Sequence, residues 1–370
     1  MSRATTARLD LAALVHNFQQ ARVAAPGRRV AAAVKADAYG HGLIQVARVL
    51  EADAFAVAAI EEALVLREAG IDRTILLLEG IFEAAELPLC ARHGLEIAVH
   101  HPEQVRMLEL ARLERPVRVW LKIDTGMHRL GLDPETTPAV FQRLRDCPAV
   151  APAMGLMSHL ARADERDCDY TLRQLQTFET ATAGLLGERS LANSAGILGW
   201  PRTHFDWIRP GIMLYGASPF VDTLAPDEDL RPVMTFHTRL ISIKRLCQGE
   251  PVGYGGTWVC PEDMDVGVAS VGYGDGYPRH APSGTPVLVN GREAALIGRV
   301  SMDMITVDLR RRPEARIGDP VLLWGEGLPV ERIARAAGTI SYTLLCGVTA
   351  RVKREMVEPS PPSAELEFGG

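Results

Sequence analysis

Hydrophobic and polar positions change their spacing once along this chain, near residue 232. Before that point short apolar runs recur at 30–36, 54–60, 74–79, 95–99, 117–123, 152–158, 189–193 and 205–209. Short apolar runs bounded by turn signals read as buried strands. Between most of them apolar residues fall three and four apart, the spacing of a helix face. Ile60–Ala69 ends at Gly70, a C-terminal cap position, and Pro102 sits in the first turn of a helix through Leu113. Asp164–Leu186 is a long helical stretch with a polar face, whereas the segments 42–50 and 196–202 carry only short, weak helical patterns. This alternation implies βαβ units and a parallel sheet. Eight repeats in this length predict closure into a (β/α)8 barrel over residues 10–232.

After residue 232 the strands become short and the turns frequent. Thr238–Leu246, Val266–Val271, Pro286–Val289, Ala294–Val300, Ile305–Leu309 and Pro320–Trp324 are the predicted strands, and Asn290-Gly291 between two of them signals a tight type I′ hairpin. Strands at this spacing predict a mainly antiparallel β domain over residues 233–357. An N-terminal strand within residues 1–9, at Thr5–Leu9, is expected to join it. The tail at 358–370, with its Pro and Ser, is expected to be disordered.

Composition narrows the classes. The chain has 370 residues, 47% of them hydrophobic and 23% charged, as in ordinary soluble globular proteins. A net charge of -6 without a basic stripe excludes a nucleic-acid footprint. The N-terminus lacks the apolar core of a signal peptide, and no apolar stretch is long enough to span a bilayer. Cys90, Cys147, Cys168, Cys247, Cys260 and Cys346 form no C-x-x-C pair; they read as reduced thiols in a cytoplasmic protein, and no metal site is read.

The candidate chemistry sits where strands end. In a barrel, reactive groups gather at the C-terminal ends of the strands. Val34-Lys-Ala-Asp-Ala-Tyr-Gly-His-Gly42 puts Lys35 and Tyr39 after the first strand. A lysine at the mouth of a buried strand is poorly solvated, and a partly neutral amine can attack an aldehyde to form a Schiff base. It can equally lay its stem along the strand with its ammonium in water, and the segment alone does not choose. Lys122, Asp124 and Arg129 follow the fifth strand, His159 the sixth, Asn193 and Ser194 the seventh, and Arg209, Gly211 and Ile212 the eighth. Each has an ordinary structural account, but together they place polar groups on one rim without sequence proximity. Barrels often hold phosphate on the loops after strands seven and eight. Ser194 offers a hydroxyl there, Gly211 and Ile212 offer backbone N–H groups, and Tyr39 and Tyr342 offer phenols. Gly-Tyr-Gly-Asp-Gly at 272–276 fits no dinucleotide fingerprint and reads as a turn.

At least seven separated motifs, in order from the N-terminal strand to about Val352, resemble the alanine racemases, a family of pyridoxal-phosphate enzymes. The resemblance implies a cofactor-binding barrel followed by a β domain (fold-type III), working as a homodimer. It makes Lys35 the lysine that holds pyridoxal 5′-phosphate as a Schiff base. Tyr254, in Val-Gly-Tyr-Gly-Gly-Thr, matches the second catalytic base, which enters from the partner subunit. Arg129 matches the arginine near the ring oxygen and the substrate carboxylate. Met302, in Gly-Arg-Val-Ser-Met-Asp, matches the residue whose backbone N–H holds that carboxylate. Lys122 matches a lysine that several members carry carbamylated. Tyr39, Ser194, Gly211, Ile212 and Tyr342 match the phosphate contacts, and Arg209 matches an arginine set against the pyridine nitrogen.

These implied roles are physically coherent. Racemisation removes a proton from one face and returns one to the other, so two bases on opposite faces suit it. A tyrosine, with pKa near 10, needs cationic or hydrogen-bonding neighbours to act as a base at neutral pH; His159, with Arg209 behind it, is the expected neighbour. An arginine has no proton to accept and effectively never gives one up, so the ring nitrogen beside it stays unprotonated and side reactions are limited. One departure stands out: Ser190 occupies a position where many members carry a histidine, and a serine is not expected to bridge to Arg209 as an imidazole would. The expected activity is alanine racemisation supplying D-alanine for bacterial cell wall. The alternatives are a broader or serine-preferring racemase, a fold-type III decarboxylase and a cofactor carrier. Arg209 speaks against the decarboxylase, where a glutamate is expected at the ring nitrogen, and the β domain carrying Tyr254 speaks against the carrier.

Overall fold

The computed structural model describes residues 4–357. The tail from residue 358, where disorder is expected, lies outside the described residues. The chain divides into two compact units, one of Asn17–Leu214 and Ser218–Asp229, the other of residues up to His16, Tyr215–Ala217 and those from Leu230 onward.

The strands, in chain order, are β1 (Thr6–Asp10), β2 (Arg29–Ala33), β3 (Ala54–Val57), β4 (Thr74–Leu77), β5 (Leu95–Val99), β6 (Val119–Lys122), β7 (Gly155–Met157), β8 (Glu188–Ser190) and β9 (Trp207–Ile208). Then follow β10 (Met234–Leu246), β11 (Pro251–Val252), β12 (Trp258–Val259), β13 (Met264–Ala269), β14 (Pro286–Val289), β15 (Arg292–Ile297), β16 (Ile305–Asp308), β17 (Pro320–Trp324) and β18 (Lys353–Val357).

In the first unit β2 to β9 form a closed parallel barrel, β9 pairing back onto β2. The barrel predicted from strand alternation is thus present. Its interior is filled by Ala31, Ala54, Leu76, Ala98, Trp120, Met157 and Trp207. Alanines on β2, β3 and β5 face two tryptophan rings that meet edge to face with centroids 6.0 Å apart. Gly155 opens β7 beside Trp120, and a Cβ there would lie 2.2 Å from the indole. Large and small residues therefore fit one another across the barrel.

At the N-terminal end of the barrel the tryptophans are tied down by charge. Glu96 accepts from Trp120 Nε1 at 2.6 Å and from Arg118 at 3.1 Å, while Glu188 accepts from Trp207 Nε1 at 2.8 Å and from Arg118 and Arg29. Glu188 also feels desolvation, but these donors prevail and hold its carboxyl at about 2.

The helix predicted over 164–186 occupies only Tyr170–Ala181. Its expected first turns form instead a series of i→i−3 turns, with Arg162 and Glu165 paired to each other. The helix predicted from Pro102 stops at Leu110 rather than Leu113.

The other unit is an eight-stranded, mainly antiparallel sheet in the order β13-β16-β15-β14-β17-β10-β1-β18. β1 pairs antiparallel with β10 and parallel with β18. Asn290 (φ 50°) and Gly291 (φ 73°) join β14 to β15 in the left-handed geometry that a two-residue hairpin requires. Two short helices, Val330–Ala336 and Ser341–Cys346, and the strand β18 carry too little periodicity to be read from sequence. Among the described residues no helix is long and apolar enough to cross a membrane.

Candidate active site

The strongest local feature of the barrel unit is the backbone after Lys35. Ala36, Asp37, Ala38 and Tyr39 all have φ between 52° and 54°, a full left-handed turn made without glycine. L-residues pay roughly 1–2 kcal/mol each for this conformation, so the turn persists only where its surroundings determine it. Ala38 N–H reaches Val34 O at 2.8 Å, Gly42 N–H reaches Asp37 O at 2.9 Å, and Asp37 Oδ1 accepts from Leu43 N at 2.8 Å. The His41 ring meets Tyr39 O at 2.8 Å. The turn leaves Tyr39 buried against Gly211, where an added Cβ would sit 2.7 Å from the phenol oxygen.

Around this turn the rim collects cations. Lys122, at the end of β6, is 7% exposed. Desolvation first, then Arg209 and Arg129, bring its ammonium down from the ordinary 10.5 to about 7, with Lys35 contributing and Asp124 opposing. Arg209 follows β9 and is buried; desolvation lowers it to about 10, so it stays charged at neutral pH. His159 follows β7. Burial, with Arg209, Lys122, Arg129 and Lys35 adding, holds its imidazole well below the usual range and therefore neutral. A neutral imidazole offers a neighbour a hydrogen bond but no charge.

Arg209 is gripped by neutral acceptors. Its guanidinium donates to Ser190 Oγ, to Ser158 O and, at 3.4 Å, to Leu191 O. Ser190 in turn donates to Trp207 O at 2.9 Å. The expectation that serine would fail to bridge is thus corrected: the hydroxyl accepts from the arginine and anchors it to β9, although it adds no charge. Ser190→Ala would strip a partner from both the guanidinium and the Trp207 carbonyl. We expect a stability loss of about 1–3 kcal/mol, visible as a lower melting temperature; an unchanged melting temperature would contradict this role.

Residues behind the rim complete the arrangement, and sequence reading gave them no such roles. Ser158 Oγ donates to Ile123 O at 2.7 Å and lies 2.8 Å from Thr125 Oγ1, while Gln174 reaches Thr125 and the His159 carbonyl. Asp124 shapes the loop that carries the exposed Arg129, its Oδ1 accepting from Gly126 N and His128 N, each at 3.0 Å. Burial pushes its carboxyl up, but these donors outweigh it and hold the pKa below the ordinary value. At Gly131 (φ 141°) a Cβ would collide with Asp124 N at 2.4 Å, which fixes glycine there.

Of the phosphate contacts that the resemblance implies, Tyr39, Ser194, Gly211 and Ile212 belong to the barrel unit and Tyr342 does not. Ser194 Oγ accepts from Gly211 N at 2.9 Å and from Met213 N at 3.3 Å, leaving its O–H to donate. The Gly211 N–H is therefore directed to Ser194, not held open as the sequence suggests. Ile212 follows, fully buried. Asn193 caps the short helix Ser194–Gly199 by accepting from Gly196 N at 3.0 Å.

Tyr254, Met302 and Tyr342 belong to the β unit and are exposed at 67%, 53% and 38%. Tyr254 opens a tight turn flanked by Gly253 (φ 72°) and Gly255 (φ 73°), with Arg299 packed beside Gly255. The 272–276 segment, read only as a turn, organises this surface. Tyr273 N–H donates to Ser301 O at 3.1 Å and Gly274 N–H to Met302 O at 2.9 Å, so the Met302 loop is held by its carbonyls. Buried Asp275 ties the turn to Arg351 at 2.9 Å, and Gly276 lies against the carbonyl of Gly347, just past the helix that carries Tyr342.

Residues 9–219 match the model of the alanine racemase N-terminal domain and residues 233–356 that of its C-terminal domain. The chain belongs to the alanine racemase family. It is 57% identical over 350 residues to an alanine racemase of Nitrosococcus oceani, covering 94% of this chain and 98% of that protein. It is 52% identical to the biosynthetic alanine racemase of Escherichia coli K12, covering 96% of this chain and 100% of the relative. A crystal structure of the biosynthetic alanine racemase from Pseudomonas aeruginosa superposes with a TM-score of 0.94 at 49% identity, covering 96% of this chain and 100% of that one. Membership of this racemase family makes the chain an isomerase.

Proposed function

We propose that this chain interconverts L- and D-alanine with pyridoxal 5′-phosphate, as a cytoplasmic homodimer that supplies D-alanine for the bacterial cell wall. The observation that carries the reading is the excess of positive charge at the barrel rim. Lys35, Lys122, Arg129 and Arg209 act on one another or on His159, while the Asp124 carboxylate is turned into its own loop. Such a rim favours anions. A phosphate dianion, a substrate carboxylate and a carbamate are the anions that this reading brings to it.

The donor set fits the cofactor. Tyr39, Ser194, Ile212 and Tyr342 would hold the phosphate, with the Gly211 N–H orienting the Ser194 hydroxyl, Arg209 would face the ring nitrogen, and Lys35 would hold the cofactor covalently through its amine. When bound, pyridoxal phosphate withdraws electrons from the substrate α-carbon and so makes its proton removable. Lys35 Nζ takes or returns that proton on one face. The phenol of Tyr254 of the partner subunit does so on the other, with neutral His159 as its hydrogen-bond partner. Arg129 and the Met302 N–H orient the substrate carboxylate. Arg209, a permanent cation, offers the ring nitrogen no proton acceptor.

Lys122 is the expected site of carbamylation. Its nitrogen adds to the carbon of CO2 and releases one proton, leaving an anion among Arg129 and Arg209. The reaction needs the neutral amine. Because the amine's pKa is lowered to about 7, carbamate should accumulate as pH rises through that value and be lost in acid. NMR with 13C-bicarbonate should show a protein-bound carbamate resonance with this pH dependence, absent in Lys122→Ala. No such resonance at any pH would reject the assignment.

Incubation with a panel of L-amino acids, resolved by chiral chromatography, tests the reaction itself. D-alanine should form far faster than any other D-amino acid. Equal formation of D-serine would move the reading to a broader racemase, and decarboxylated products would overturn it.

A further inference from the structure

Glu62 lies on the helix Ile60–Glu68, in the layer outside the barrel, and sequence reading gave it no role. Its two carboxylate oxygens hold two different strand ends. Oε1 accepts from Ala36 N at 2.7 Å, and Oε2 accepts from Ala58 N at 2.8 Å. Ala36 is the first residue of the left-handed turn and directly follows Lys35; Ala58 directly follows β3. The left-handed conformation at Ala36 (φ 54°) accompanies this bond. A right-handed turn would redirect that N–H, and the carboxylate would lose one of its two charge-assisted bonds. The bonds at Asp37 and His41 act on the far end of the same turn; at its near end Val34 N–H donates to Ala56 O at 2.9 Å and Ala38 N–H to Val34 O at 2.8 Å, and Glu62 supplies the side-chain anchor there. Lys35 lies within electrostatic range of Lys122 and His159, so the backbone fixed by Glu62 also sets where the amine enters the rim.

We propose that Glu62 is a positioning residue for Lys35: by clamping Ala36 N–H to Ala58 N–H it keeps the lysine-bearing turn left-handed and fixes the approach of the Lys35 amine to the α-carbon. The inference rests on Lys35 being the reactive amine. Misplacing a reacting group by about 1 Å can cost on the order of 100-fold in rate.

The test compares purified holoenzyme carrying Glu62→Ala, Glu62→Gln or, as a control, Glu61→Ala at the exposed neighbouring carboxylate. Glu62→Ala should lower kcat by about 100-fold with KM for alanine nearly unchanged. Amide hydrogen exchange in peptides covering 35–43 should rise by roughly tenfold or more, with barrel-strand peptides unaffected. Glu62→Gln keeps one acceptor oxygen and should recover part of both losses, which also carries the test if the alanine variant does not fold. Glu61→Ala should match wild type. Wild-type exchange over 35–43 in Glu62→Ala would overturn the clamp, as would a rise spread evenly over the barrel. Fast local exchange with an unchanged kcat would overturn the positioning role. Exchange needs no turnover, so failure of the racemase reading would appear separately, as wild-type protein that does not racemise alanine.

Discussion

Tyr254→Phe should slow removal of the α-proton from one alanine enantiomer by about 100- to 10,000-fold, the range expected for a lost general base, while exchange from the other enantiomer is much less affected. The asymmetry must be read from α-proton exchange and not from steady-state rates. Enantiomers have equal free energies, so the ratio of kcat/KM in the two directions is fixed by equilibrium and any variant loses both equally. Exchange into solvent from each enantiomer escapes that constraint, because it needs only the base on that enantiomer's face. The position of Tyr254 suits such a role: it is exposed on a glycine-flanked turn, where its phenol is presented outward from the β unit. Equal loss of exchange from both enantiomers would refute the assignment.

The larger loss is expected at Lys35. Lys35→Ala removes both the proposed covalent anchor and a base, and racemisation should fall by at least about 10,000-fold. A small primary amine such as methylamine should restore a measurable part. The chain's lysines are Lys35, Lys122, Lys244 and Lys353, so borohydride reduction followed by peptide mapping gives a clear answer: the pyridoxyl label should fall on the peptide with Lys35. A label on Lys122, or colourless protein after adding pyridoxal phosphate, would overturn the site. Lys122 is the informative competitor, because its amine is lowered to about 7 in the same rim.

The barrel was legible because its strands are buried on both faces. Runs such as Val30–Val34 and Leu95–Val99 are apolar at every or nearly every position and stop at polar groups. The rim residues were legible as a set for the same reason, since each follows such a run. What the sequence hid is tertiary. Nothing in Ala-Asp-Ala-Tyr signals four left-handed residues in a row, a conformation that local preference reserves for single glycines and, less often, asparagine or aspartate; the turn is held by Glu62, Asp37 and His41, contacts made through folding. The hydroxyl of Ser190 looked like a lost partner for Arg209 because only its identity, and not its 2.9 Å bond to Trp207 O, is written in the chain. The helix at 170–181 was overextended because the polar residues before it fit a helix face as well as they fit turns.

In the proposed mechanism two bases of this protein work on opposite faces of one α-carbon. L-alanine turned over in D2O tests it most directly, with early samples resolved into enantiomers and weighed by mass spectrometry. The first D-alanine formed should carry one deuterium at the α-carbon, while the remaining L-alanine is still largely protiated. Early D-alanine that retains the substrate's own proton would mean a single base serving both faces, and would contradict the pairing of Lys35 with Tyr254.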